Sequence, residues 1–200
     1  MGMNVPLVRD ANGFRHPQRC LSMKWLRRGF LLAVVAVPSL GPALAAQKTT
    51  HPIQLSLFEP IQIVDRDEAV GGFRLNLIYG RNTSVVGLDI GLVNYNTAGH
   101  SKGVQFGVVG VIREDFSGFQ NNLVNIVGRR FTGLQSGIFN SAERGEGVQY
   151  GIVNRASYVN GVQIGLVNYA SRMKGLQIGL INIIAHGGVF PVLPIVNWSF

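Results

Sequence analysis

Gly161-Val-Gln-Ile-Gly-Leu-Val-Asn168 and Gly175-Leu-Gln-Ile-Gly-Leu-Ile-Asn182 are near-identical octets whose first residues lie 14 apart. The same pattern (glycine, aliphatic, Gln, variable, Gly, aliphatic, aliphatic, Asn) is written seven times, in copies that begin at Gly87, Gly103, Gly118, Gly133, Gly147, Gly161 and Gly175. Spacings of 14 to 16 residues leave room for one strand and a tight connection, and none for a helix-containing unit. A unit this short cannot bury a hydrophobic face alone, so each copy leans on its neighbours and the array is the fold. A degenerate copy, Gly72-Phe-Arg-Leu-Asn-Leu-Ile-Tyr79, precedes the clear ones.

The recurring residues fix a register. Gly103, Gln105 and Gly107 open the second clear copy, and Gly118, Gln120 and Asn125 mark the third. Gly133, Gln135 and Asn140 follow, then Gly147, Gln149 and Asn154, then Gly161, Gln163 and Asn168, and finally Gly175, Gln177 and Asn182. All are read as structural. Side chains alternate along a strand, so the second and sixth positions, apolar in every copy (Leu88 and Leu92 through Leu176 and Leu180), share one face. The glycines, the Gln and the seventh-position aliphatic are assigned to the other.

Charge placement is sharper still. Across the seven octets the only ionised residue is Asp89, which replaces the Gln of the first copy. A sheet face in water normally carries charged or hydroxyl side chains between its core residues. Neither strand face does so here, which implies that both are withheld from bulk water or that one meets lipid. The polar segments between copies, Arg113-Glu-Asp115, Gly128-Arg-Arg130, Glu143-Arg-Gly145 and Ser171-Arg172, read as turns.

Two all-β architectures satisfy these constraints. The favoured one is an up-and-down β-barrel of the outer-membrane type, with ten strands at 53–64, 72–80, 85–94, 103–112, 118–127, 133–142, 147–156, 161–170, 175–184 and 191–200. An even number of strands of about nine to eleven residues suits such a barrel. Val196, Trp198 and Phe200 alternate to a C-terminal aromatic, which resembles the signal by which bacterial outer-membrane barrels are recognised. The alternative is a β-solenoid with 14–16 residues per coil, in which identical residues stack and the repeated Gln and Asn form ladders. A repeat of 14 favours it, because an antiparallel meander of even period needs odd or bulged connections to keep its faces. Pro191 and Pro194 also suit an edge or cap better than a closing strand.

Met23-Lys-Trp-Leu-Arg-Arg-Gly, the apolar run Phe30–Val37 and the small residues ending in Ala43-Leu-Ala45 have the charge, hydrophobic stretch and A-x-A site of a secretory signal peptide. The domain reading is therefore 1–22 as an upstream extension, with translation starting at Met23, then 23–45 as the signal, 46–71 as a lead-in strand and loop, and 72–200 as one β-repeat domain. Removing 1–45 lowers the net charge from +8 to +3, twelve basic residues against nine acidic, and weakens any nucleic-acid reading. It also removes Cys20, the only cysteine, and with it disulfide chemistry.

No motif carries catalysis. His51, His100 and His186 are far apart and lack metal-ligand spacing. No G-x-S-x-G elbow occurs, and the recurring glycines lack the Lys-Ser/Thr of a phosphate loop. Asp65, Asp67 and Glu68 are interrupted by Arg66 and read as a solvated loop rather than a cation site. Arg113, Arg129, Arg130, Arg144 and Arg172 could touch lipid headgroups, with solvated turns as the plainer reading. No enzyme, cofactor or metal is expected.

From Ile53-Gln-Leu-Ser-Leu through Phe73-Arg-Leu-Asn-Leu-Ile-Tyr-Gly80 and Gly87-Leu-Asp-Ile-Gly-Leu-Val-Asn94 to Pro194-Ile-Val-Asn-Trp-Ser-Phe200, the chain resembles the bacterial surface-repeat proteins first described in leptospires, built from tandem Gly-Leu-Gln-Ile-Gly-Leu-Ile-Asn motifs. The resemblance implies a secreted or surface location and no transferable activity. Some members look like lipoproteins, and this chain departs from them in lacking a cysteine after the signal. The expectation is a non-enzymatic outer-membrane or cell-surface protein with a structural or narrow-pore role and outer-membrane lipid as partner. The alternative is a surface solenoid that binds a protein or matrix.

Overall fold

The computed structural model describes residues 50–200 and the backbone pairing of two short strands, β1 (Val8–Arg9) and β2 (Arg15–His16), which form an antiparallel pair of their own. The expected leader at 23–45, Cys20 and the start at Met23 lie outside the described residues. The rest forms a separate unit, Leu44–Phe200. Its elements are β3 (Thr50–Phe58), β4 (Ile61–Gln62), β5 (Ala69–Asn82), β6 (Val85–Asn96), β7 (His100–Ile112), β8 (Asp115–His186) and β9 (Val192–Ser199).

The neighbours β3, β5, β6, β7 and β8 pair in parallel. The register puts like on like: Gly72 beside Gly87, Gly87 beside Gly103 and Gly103 beside Gly118, with Asp89 beside Gln105 and Gln105 beside Gln120. This is a β-solenoid and not a barrel. A barrel of this kind is antiparallel and closes first strand on last, whereas here the sheet order ends at β4 on one side and β9 on the other. β8, at 72 residues, is several coils long and keeps β-type pairing through the corners between them. The segments Gly128-Arg-Arg130, Glu143-Arg-Gly145 and Ser171-Arg172 therefore lie within it and are not hairpin turns.

The first glycine of each copy explains the choice. From Gly72 to Gly175 these residues have φ between +126° and +148°, where L side chains are strained. A β-carbon at Gly161 would also collide with the carbonyl of Gly147, its counterpart one coil earlier. The glycine thus bends the chain so that the next octet lands on the previous one in the same direction, which a hairpin cannot do.

The interior has two halves. One is polar: Gln105, Gln120, Gln135, Gln149, Gln163 and Gln177 are buried, as are Asn94, Asn125, Asn140, Asn154, Asn168 and Asn182. The other is apolar. Ile112, Phe116, Val127, Phe131 and Ala142 form one cluster, and Ala156, Val159, Ala170, Met173 and Ile184 a second. The rings of Phe116 and Phe131 stack with centroids 6.3 Å apart. Full burial of a side chain such as Phe131 contributes about 1.5–3 kcal/mol. The clusters part at Gly145, which is buried yet contributes no side chain. The interior of the described coils is thus occupied by side chains, and the closed barrel on which the narrow-pore reading rested is not formed.

Antiparallel strands top both ends. β4 pairs with β3, and β9 pairs with the last coil of β8, with Trp198 beside Leu176 and Asn197 beside Gln177. Val196 and Trp198 therefore belong to a capping strand, and Phe200 lies beyond it, 91% exposed. The alternation read as a barrel signal is that of a cap, which occupies an otherwise open sheet edge.

Candidate functional site

Two amide ladders run through the polar half. Gln105 Nε2 donates to Asp89 Oδ2 at 2.7 Å, and Gln120 Nε2 donates to Gln105 Oε1 at 2.7 Å. Gln135, Gln149, Gln163 and Gln177 each repeat the step toward the coil before, at 2.7–2.9 Å. The Asn ladder points the other way. Asn125 donates to Asn140, Asn140 to Asn154, Asn154 to Asn168 and Asn168 to Asn182, each at 2.8 Å. Four of these asparagines also donate to a backbone carbonyl of the next coil: Ser136, Tyr150, Ile164 and Ile178. Buried amides cost little when they are hydrogen-bonded, and stacking identical residues gives each inner rung a donor and an acceptor; the last Gln rung, Gln177, has its Oε1 buried without a partner.

Asp89 now has a reason. Each Gln donates toward the N-terminus, so the first rung must offer an acceptor, and a carboxylate does so while also accepting from a cation below it. Its charge is met from below by Arg74, whose Nε and Nη2 donate to Oδ1 and Oδ2 at 2.7 and 2.6 Å. Both side chains are all but buried, at 0% and 4% exposure. Gly110 departs from the Asn of the eighth position, and a β-carbon there would collide with Gln105 and Asn122. Asn122, standing in place of the fifth-position glycine one coil later, fills that space and donates to Gln105 Oε1 and Asn125 Oδ1.

With the amides inside, the aliphatic residues face out. Positions two, four and six form three columns along the solenoid axis, as in Leu88, Ile90 and Leu92, or Val162, Ile164 and Leu166. Leu92, Leu123, Ile138, Ile152, Leu166 and Leu180 are all exposed, Leu180 at 66%. The seventh-position side chains, assigned to the same face as the Gln, are not buried with it: they are half-buried in the first six copies, and Ile181 in the last is exposed. Both strand faces were expected to be withheld from bulk water or one to meet lipid; within the chain itself only the inner face is enclosed. The fourth and sixth columns border a groove floored by glycine backbone. Tyr150, Ile164 and Ile178 line one side and Ile152, Leu166 and Leu180 the other, over a volume of about 460 Å³. A second apolar hollow of about 480 Å³ lies at the other end of the same columns, between Leu55, Leu57, Leu75 and Leu77 and the overhanging Ile61 and Ile63. The face is broken only by Asn121 and Ser136 in its fourth-position column, and a mainly apolar, uncharged face of this extent on a protein surface marks an interaction site.

Charges lie on the remaining surface, and several are paired. Arg129 Nη1 donates to Glu114 Oε2 at 2.6 Å, which raises the pKa of its guanidinium above the ordinary value. Arg130 pairs with Glu146, and Arg144 lies over the ring of Tyr158. Arg129, Arg130, Arg144 and Tyr158 line a polar hollow of about 420 Å³ with Asp115, Glu143 and Ser157. Arg113 lies over Tyr95 and donates to its hydroxyl at 2.7 Å. Asp65, Asp67 and Glu68 do not converge: Asp65 accepts from the Asp67 backbone, and Arg66 pairs with Glu59 and Asp67. Among the described residues no group of three or more His, Cys, Asp or Glu could hold a metal ion. None of their helices is long and apolar enough to cross a membrane.

No family model, curated protein or solved structure matches this chain. The apolar face is therefore the feature from which a role is read. The sequence marked its columns as one apolar face but did not show that it is the outer one. The only signal for that was the Gln and Asn recurring at fixed spacing, which makes stacked amides a better interior than isolated ones.

Proposed function

We propose that this chain is an exported, non-enzymatic β-solenoid of the bacterial cell surface that acts as a binding or adhesion module through its apolar face. The observation that carries this reading is the segregation of side chains. Three outward columns free of ionised residues run the length of the array, while the charged residues other than the buried Asp89 and Arg74 lie outside the octets, where Arg129 pairs with Glu114 and Arg130 with Glu146. Backbone groups in the face are already hydrogen-bonded along the ladder, so a partner can cover it without stranding a donor or acceptor. The leader-like segment and the resemblance to surface-repeat proteins support the location.

The test is retention at the surface of cells that make the full chain. Replacing Ile152 and Leu166 with Lys places charge on the face without touching the amide ladders. The doubly substituted protein should be exported and folded, with unchanged circular dichroism, but should wash off the cells. Equal retention of both proteins would refute a role for the face.

A further inference from the structure

The geometry points to a second copy of this chain as the occupant of the apolar face, in a face-to-face homodimer. This inference rests on the reading of that face as the binding surface.

Three observations favour self-association. The first is area. At a strand spacing of about 4.8 Å and a rise of about 3.3 Å per residue, the face from Ile53 to Trp198 is about 40 Å long and about 15 Å wide. Two copies meeting over it would bury about 1,200 Å² before side-chain relief is counted, which reaches the size of stable, specific interfaces.

The second is charge. Every residue at the second, fourth and sixth positions of the seven octets is uncharged. Near a two-fold axis a residue meets its own copy, so charge at the centre of a self-docking face would be repelled, and this face carries none there. A face built to lie on an anionic membrane would instead be rimmed by cations. The column that borders this face just before the first glycine holds Lys102, Ser117, Thr132, Glu146, Asn160 and Lys174, which is too mixed for that purpose.

The third is shape. Ridges at the fourth and sixth columns flank the glycine-floored groove of about 460 Å³. Related by a two-fold axis in the plane of contact, each copy offers a ridge to the other's groove, so the surface is complementary to itself. Antiparallel β4 and β9 occupy both ends of the sheet, which leaves the broad face as the place for a second copy to attach.

The experiment is sedimentation equilibrium of the full exported chain, with Ile138→Lys and Ile138→Glu at mid-face and Ser157→Lys on the charged side as control. The expected result is a dimer for the parent and for Ser157→Lys. Each Ile138 variant should weaken association about a hundredfold or more. Mixing the Lys and Glu variants should recover much of it, which misfolding would not allow. A parent that stays monomeric at about 100 µM but binds phosphatidylethanolamine/phosphatidylglycerol vesicles, with loss of binding in Ile138→Glu, overturns the dimer and leaves the face as a binding surface. A monomer that binds no vesicle and is retained on cells regardless of Ile138 overturns both readings.

Discussion

Replacing Asp89 with Asn tests whether the Gln ladder needs an anionic end. The change is nearly isosteric, so packing is preserved, but one carboxylate oxygen becomes an amide NH2. Asp89 accepts three charge-assisted or ladder bonds, from Arg74 Nε, Arg74 Nη2 and Gln105 Nε2. One of these donors must then face another donor. The guanidinium of Arg74, 0% exposed, is also left without its counter-charge. Removing one partner of a buried ion pair costs about 3–5 kcal/mol. At a urea dependence of about 2 kcal/mol per molar, the unfolding midpoint should fall by roughly 2 M. Trp198, on the capping strand, reports the transition by fluorescence. The companion variant, Arg74→Gln with Asp89→Gln, extends the ladder by neutral rungs. Exchanging a buried pair for well-matched neutral groups is often neutral or stabilising, so this protein should unfold within about 1 kcal/mol of the parent or later. A shift below about 0.5 M for Asp89→Asn, or a double variant as unstable as the single one, would refute the role assigned to the pair.

Gly145→Ala should stabilise the chain by about 0.4–1 kcal/mol, because an added β-carbon meets nothing closer than 3.9 Å. Gly161→Ala, with φ +144° and the Gly147 carbonyl in the way, should instead cost several kcal/mol (about 2–4); equal effects of the two in thermal melts would contradict the interior described. Gly110→Asn and Asn122→Gly should each destabilise alone and partly cancel together, with a coupling of about 1–3 kcal/mol in a double-mutant cycle; strict additivity would show that the two positions do not share one space. Removing residues 192–200 should expose the last coil as an open edge and produce concentration-dependent aggregation seen by light scattering; a fully monodisperse truncated chain would speak against β9 as a cap.

The repeat, its register and the all-β class were legible because glycine, Gln and Asn recur at fixed offsets. Direction was not. Period-two alternation separates two faces, yet it does not say which is enclosed or whether the next strand runs parallel. Leu166 and Gln163 show why: ordinary partition would put the leucine inside and the amide out, and the structure does the reverse. Stacking turns Gln163 into both donor and acceptor for its own copies, an option absent from a single strand. Gln ladders on a solenoid axis were foreseen with the alternative architecture, and Asp89 stood out as the lone charge, but its partner Arg74 lies 15 residues away in a degenerate copy that gave no hint of pairing. Gly110 and Asn122 looked like blemishes in the motif until their shared space was visible. Val196, Trp198 and Phe200 misled because a capping strand and a closing barrel strand alternate alike.

The Gln ladder also bears on how such a chain changes length. Each rung hands one bond to the rung before, so the sequence records no preferred number of rungs between Asp89 and the cap. Excising residues 147–160 would leave Gln163 above Gln135 and Asn140 below Asn168, with every amide still supplied. Excising seven residues would bring unlike groups together and break both ladders. Gene duplication or loss in whole repeats is thus nearly silent to the interior, while a frame-preserving deletion of any other size is not. The outer face would lengthen or shorten in steps of one strand, which lets copy number tune contact area without redesign of the core.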